Sequence, residues 1–159
     1  MIDKQTVCDL FEYRDGHLYR KKTTAPNALK GQLAETNCIK YLRVTINKVP
    51  YKIHRLVFLM HHGYMPEFID HIDGNPLNNK IENLRACTKQ ENNRNQKITK
   101  RNTSGYKNVT WNNVAKKWQV GFMLNNNYKY IGTFKDIELA DLVAQEARLK
   151  YFKQFSRHK

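Results

Sequence analysis

Along most of the chain apolar and polar residues alternate over short runs, the period of strands with one buried face, and the period lengthens to that of a helix in only a few places. In FEYRDGHLYR at residues 11–20, Asp15-Gly16 separates two alternating runs, which is a strong hairpin signal. After a polar stretch with Pro26 and Gly31, YLRVTINKVPYKI repeats the pattern as two strands about Asn47-Lys48. From His54 the spacing changes: Leu56, Val57, Leu59 and Met60 form one stripe of a short helix that Gly63 can cap ahead of Pro66. Residues 70–92, DHIDGNPLNNKIENLRACTKQEN, read as strand, long turn at Asp73-Gly74, short strand and helix. Thr88 and Glu91 have the spacing of a capping box, which fixes that helix start and puts Asn92 in its first turn.

Residues 96–105, QKITKRNTSG, have the composition of a basic linker. Beyond them YKNVTW, KWQVGFML and YKYIGTF are three β-rich runs joined by Asn-rich turns. Asp136 then caps a helix whose Ala140, Val143, Ala144, Ala147 and Tyr151 share one face, and Trp118 is expected in the core beneath it. The pattern predicts an α+β protein: a β-rich region through residue 95 ending in a strand–strand–helix unit, a linker over 96–105, and a three-stranded antiparallel sheet with one helix over 106–159.

Charge changes the picture from fold to partner. A net charge of +14 on 159 residues and a pI near 9.8 point to a polyanion, most simply nucleic acid. No apolar run approaches a membrane span and no basic amphipathic helix dominates, so no membrane partner is expected. Cys8, Cys38 and Cys87 are far apart with no C-x-x-C, which suits a reducing compartment and argues against a structural zinc knuckle. The N-terminus lacks signal-peptide character, so the protein is expected to act in the cytoplasm where it is made. There is no phosphate-binding glycine loop, no Ser/His/Asp arrangement and no glycosidase-like carboxylate pair, and no small-molecule substrate is expected.

The chemistry concentrates in residues 70–92. Phosphodiester hydrolysis needs a deprotonated water on one side of phosphorus and charge stabilisation on the leaving oxygen. A neutral imidazole such as His71 supplies the first, and a divalent cation supplies the second. A carboxylate and an amide oxygen form a hard donor set that favours Mg²⁺ or Mn²⁺ over Zn²⁺. Because neighbours on a regular strand point to opposite faces, Asp70 and His71 can share a site only where the strand ends or is distorted. The same Asn and Asp residues also suit an ordinary Asn-rich turn.

DHIDGN, NNKIENLR and the QENN that follows resemble the HNH nucleases, specifically the Asp-His…Asn…Asn form of phage and group I intron homing endonucleases. The resemblance implies a ββα-metal fold over the end of the 1–95 region. It implies His71 as general base, Asn83 as the residue orienting it, and Asp70 and Asn92 as ligands of one Mg²⁺ or Mn²⁺. HRLV at His54 is common upstream in that family and implies a supporting role; His61 and His62 suit packing or capping. If phage-encoded, the chain would act in the host cytoplasm.

GYKNV, KKW, IGTF and the Ala-rich helix resemble the DNA-binding domain of the plant APETALA2 and ethylene-response-factor proteins, which lays its sheet in the DNA major groove. Double-stranded DNA is therefore the expected partner. Arg43, Lys80, Arg85, Arg94, Lys100, Arg101, Lys107, Trp111, Lys116, Lys117, Gln119, Lys129 and Tyr130 are the candidate contacts, by charge or stacking. A metal-dependent endonuclease that nicks one strand as a monomer is the expected activity. A DNA-binding protein that uses the scaffold without cutting, and an RNA-binding protein, are the alternatives the sequence leaves open.

Overall fold

A computed structural model describes residues 2–99, 101–152 and 155. The chain forms two compact units, residues 1–92 and 93–159. It is a mixed α+β fold of small antiparallel sheets and helices, as the pattern predicts. Among the described residues no helix is long and apolar enough to cross a membrane.

The first unit opens with a helix the alternation conceals, α1 (Lys4–Leu10), whose start is capped by Asp3 accepting from the Thr6 N–H at 2.7 Å. β1 (Phe11–Arg14) and β2 (His17–Arg20) follow as the expected hairpin. Asp15 and Gly16 both take positive φ, 48° and 90°, as a tight two-residue turn requires. A Cβ on Gly16 would sit 2.9 Å from the backbone nitrogen of Lys80, so this turn packs directly on the chain at Asn79 and Lys80. The Tyr13 hydroxyl accepts from the Ile81 N–H at 3.0 Å, and Lys80 Nζ lies 2.8 Å from Asp15 Oδ1. The hairpin thus braces residues 79–81 from the other end of the unit.

β3 (Thr36–Cys38), β4 (Tyr41–Ile46) and β5 (Val49–Lys52) make a three-stranded meander. Val44 and Ile46 point inward, while Tyr41, Arg43 and Thr45 take the opposite face. The inward residues meet α2 (Ile53–His62), which buries Ile53, Leu56, Val57, Phe58 and Leu59 and ends at Gly63 with φ 77°. Each of these side chains contributes about 1.5–3 kcal/mol by leaving water. This core carries the last hairpin of the unit, β6 (Phe68–His71) and β7 (Leu84–Cys87), joined by a long turn that ends in a single 3₁₀ turn at Ile81–Asn83. α3 (Lys89–Arg94) completes the strand–strand–helix unit.

In the second unit β8 (Val109–Asn112), β9 (Lys117–Leu124) and β10 (Asn127–Phe134) form an antiparallel sheet covered by α4 (Ile137–Phe152). Asp136 Oδ1 caps α4 at the Leu139 N–H, 2.7 Å. Ala140 and Ala144 are fully buried against Val109 and Val120, with Trp118 packed beside them as expected. Part of the stretch expected as a linker is tied down: Asn102 Nδ2 donates to the Tyr106 carbonyl at 2.8 Å and Ser104 Oγ to the Val109 carbonyl at 2.7 Å. Arg148 is buried in full and donates to the Lys107 carbonyl at 2.6 Å, an interior role its charge does not announce.

Candidate active site

The β6–β7 hairpin sets Asp70 opposite Arg85 and His71 opposite Leu84. Asp70 and His71 are both buried, at 5% and 7% exposure. A buried carboxylate needs a partner, and Asp70 Oδ2 accepts from Arg85 Nε at 2.9 Å and Nη2 at 2.7 Å. The strand ends at His71, where the Gly74 N–H closes a turn onto the His71 carbonyl at 2.8 Å. The Asp70 and Asp73 charges both act on the imidazole, favouring its protonated form.

His71 Nε2 lies 3.1 Å from Oδ1 of Asn79, which is 2% exposed. An amide oxygen only accepts, so the bond puts the proton on Nε2 and leaves the lone pair on Nδ1. Burial lowers the His71 pKa, against the opposing pull of Asn79, Asp73 and Asp70. The result is an imidazole that burial favours in its neutral form, with Nε2 bonded to Asn79. Its ring meets His54 edge-on at 5.1 Å between centroids, and the Tyr41 ring touches both, at 5.2 Å from His54 and 6.3 Å from His71. Burial, with His71, Lys52 and Arg55 nearby, pushes His54 down to about 3, so it stays neutral and packs behind His71.

The family resemblance assigns the orienting amide to Asn83, and the structure gives that bond to Asn79. Asn83 comes out of the 3₁₀ turn facing the loop: its Oδ1 accepts from the Asp73 N–H at 3.0 Å. Its Nδ2 donates to Asp73 Oδ1 at 3.0 Å and to the Asn78 carbonyl at 2.8 Å. Asp73 also accepts from the Asn75 N–H and the Asn78 amide. Burial works to raise the Asp73 pKa, but these bonds prevail and hold it below the usual carboxylate range. The Asn-rich turn and the site therefore coexist: Asp73, Asn75, Asn78 and Asn83 build the loop, and Asn79 faces the histidine. Nothing local in NNK distinguishes the inward Asn from its neighbour.

The capping box is present as read, with the Thr88 N–H donating to Glu91 Oε2 at 2.8 Å and the Glu91 N–H to Thr88 Oγ1 at 3.2 Å. Asn92 follows it in α3, and its side-chain amide makes no hydrogen bond among the described residues. Cys87, between Asp70 and this helix start, has its thiol pushed up to about 11 by burial and by the Asp70 and Glu91 carboxylates. The Asp70 carboxylate and the first turn of α3 thus lie within electrostatic reach of one residue.

The donor chemistry fits a hard divalent cation. Asp70 supplies a carboxylate, one oxygen of which a bound cation would share with the Arg85 guanidinium, and Asn92 supplies an amide oxygen. Among the described residues no group of three His, Cys, Asp or Glu is placed to hold a metal. An ion held by Asp70 and Asn92 would complete its shell with water and substrate phosphate, as Mg²⁺ does.

The basic candidates divide by position. Arg85 is committed to Asp70, Lys80 to Asp15, and Lys107 Nζ to the carbonyls of Arg94 and Gln96 at 2.6 and 2.7 Å. Arg94 lies 4.6 Å over the Phe152 ring. Arg101 is exposed, and Lys100 lies outside the described residues. On the second sheet, register places Lys117, Gln119 and Tyr130 on the open face, with Tyr128 beside them. Trp111 falls on the helix side, edge-on to Trp118 at 4.9 Å, and Lys129 there lies 5.6 Å from the Tyr151 ring. Lys116 sits in the β8–β9 turn with φ 51°.

A family model described as HNH endonuclease matches residues 51–94, which span α2, the β6–β7 hairpin and α3. Protein 3.8 of Escherichia phage T7 is 37% identical over 92 residues, covering 57% of this chain and 74% of that protein. No solved structure matches.

Proposed function

The chain carries an HNH endonuclease family domain over residues 51–94, and from that premise we propose that it is a homing-type DNA endonuclease that hydrolyses phosphodiesters with His71 as general base. The observation that carries this reading is the buried His71, held neutral and aimed through Nε2 by Asn79, beside the Asp70 carboxylate. His71 Nδ1 takes the proton of the attacking water. Asp70 and Asn92 would hold one Mg²⁺ or Mn²⁺, which when bound would supply charge stabilisation at the leaving oxygen. Asn79 keeps the base in the productive tautomer, and Asn83 keeps the loop that carries Asn79 folded.

The second unit is the DNA-binding module, in the manner of the APETALA2-like domains. The reading is supported by its three strands and helix and by an open face bearing Lys117, Gln119, Tyr128 and Tyr130. The protein acts on double-stranded DNA in the cytoplasm, and one base with one metal cuts one strand, so a monomer nicks. A time course on supercoiled plasmid in Mg²⁺, at increasing enzyme dilution, tests this: open circles are expected first at every dilution. Linear product without a nicked intermediate at the lowest concentrations would contradict monomeric nicking.

A further inference from the structure

The outward face of the β3–β5 meander carries an electrostatic conflict beside His71. Antiparallel register sets Arg43 directly opposite Lys52, and like charges in that relation destabilise a sheet. Neither residue makes an ion pair among the described residues. Burial, together with the Arg43, Arg55 and Lys40 charges, lowers the Lys52 pKa. Arg43 Nε is buried with no hydrogen-bond partner in the structure, a cost of the kind proteins normally avoid. Arg55 adds a further positive charge and offers no acceptor; its guanidinium donates to Met65 Sδ and to the carbonyls of Pro66 and Glu67.

Tyr41 ties this face to the histidines. It lies on the same side of β4 as Arg43, with Lys52 Nζ 4.6 Å and Lys40 Nζ 5.4 Å from its ring centre. The same ring touches His54 and His71. An anion among Arg43, Lys52 and Lys40 would cancel the repulsion and give the orphaned guanidinium nitrogen an acceptor. A phosphate oxygen is what Arg recognises best there.

We propose that Arg43 and Lys52, with Lys40 at the rim, form a seat for a backbone phosphate of the DNA strand presented to His71. The proposal rests on the endonuclease reading and adds the residues that hold the strand. The conflict at Arg43 and Lys52 is then a site destabilised for its ligand.

The test uses the full chain with His71→Ala, so that nothing is cut, in EDTA with a fluorescent duplex, measuring affinity from low to moderate salt. Adding Arg43→Gln and Lys52→Gln is expected to make the slope of log K against log salt less negative by about 0.9, for the one phosphate contact the seat supplies. The same double variant is expected to melt no lower than its parent, because it loses a repulsion. A control with Lys4→Gln and Lys30→Gln, both exposed on the same unit, removes equal charge and is expected to leave the slope nearly unchanged. An unchanged slope in the Arg43/Lys52 variant, or an equal change in the control, overturns the seat while leaving DNA binding intact. A drop in melting temperature would instead show that the pair is structural and also overturns it. Absence of duplex binding by the parent itself would sink the endonuclease reading and the seat with it.

Discussion

Replacing Arg85 by Met tests whether the site is built around a buried charge. Asp70 and Arg85 face each other across β6 and β7, with side chains 6% and 14% exposed and the guanidinium giving two bonds to one carboxylate oxygen. Removing one partner of a buried pair costs about 3–5 kcal/mol, chiefly because the other charge stays buried. The partial exposure of Arg85 puts the expected loss near the lower end, about 3 kcal/mol. For a unit of this size, each kcal/mol lowers the melting temperature by about 4–8 °C. Urea unfolding followed by circular dichroism measures the loss directly. Arg85→Met with Asp70→Asn removes both charges, and the double variant is expected to regain about half of the loss. The reasoning is refuted if Arg85→Met costs under about 1 kcal/mol, or if the double variant is no more stable than the single one.

Asn79→Ala leaves His71 without its aiming bond and is expected to lower nicking about 10–100-fold while unfolding remains cooperative; wild-type rates would show that Asn79 does not aim the base. His54, neutral in the fold with a pKa near 3 against an ordinary histidine value of 6.5, binds protons more readily when unfolded. Its contribution is therefore fully present above pH 6.5 and is lost as pH falls toward 3, at about 1.4 kcal/mol per pH unit. Urea midpoints should fall between about pH 7 and pH 5, and His54→Phe should flatten that fall. Thr88→Ala removes one half of the capping box and is expected to cost about 1 kcal/mol, read from the same unfolding curves.

Much of this structure is local and legible in the residues themselves. The hairpins at Asp15-Gly16 and Asn47-Lys48, the Gly63 cap and the Thr88–Glu91 box each depend on residues within a few positions of one another. The three strands and helix of the second unit also follow from period and turn chemistry alone. What escapes such a reading is decided at a distance. α1 shows too few apolar positions to reveal its helical face. Asn79 is selected over Asn78 by packing from Tyr13 and Gly16, about sixty residues or more earlier in the chain. The same packing leaves Asn83 to staple the loop. Trp111 and Lys129 follow the alternation of their strands onto the helix side, where aromatic neighbours meet them. Composition marks such residues as contacts without knowing which face they take.

Everything proposed for this site depends on His71 activating water for metal-dependent cleavage of DNA. The most direct measurement is conversion of supercoiled plasmid carrying the gene's own flanking DNA, with Mg²⁺, with Mn²⁺ and with EDTA, for wild type and His71→Ala. Open circles that form in either metal, vanish in EDTA and are lost in His71→Ala while the variant still shifts the DNA in a gel are the expected result. Cleavage by His71→Ala at the wild-type rate, or DNA binding by both proteins with no cutting in either metal on this plasmid or on one bearing a related gene locus, would contradict it.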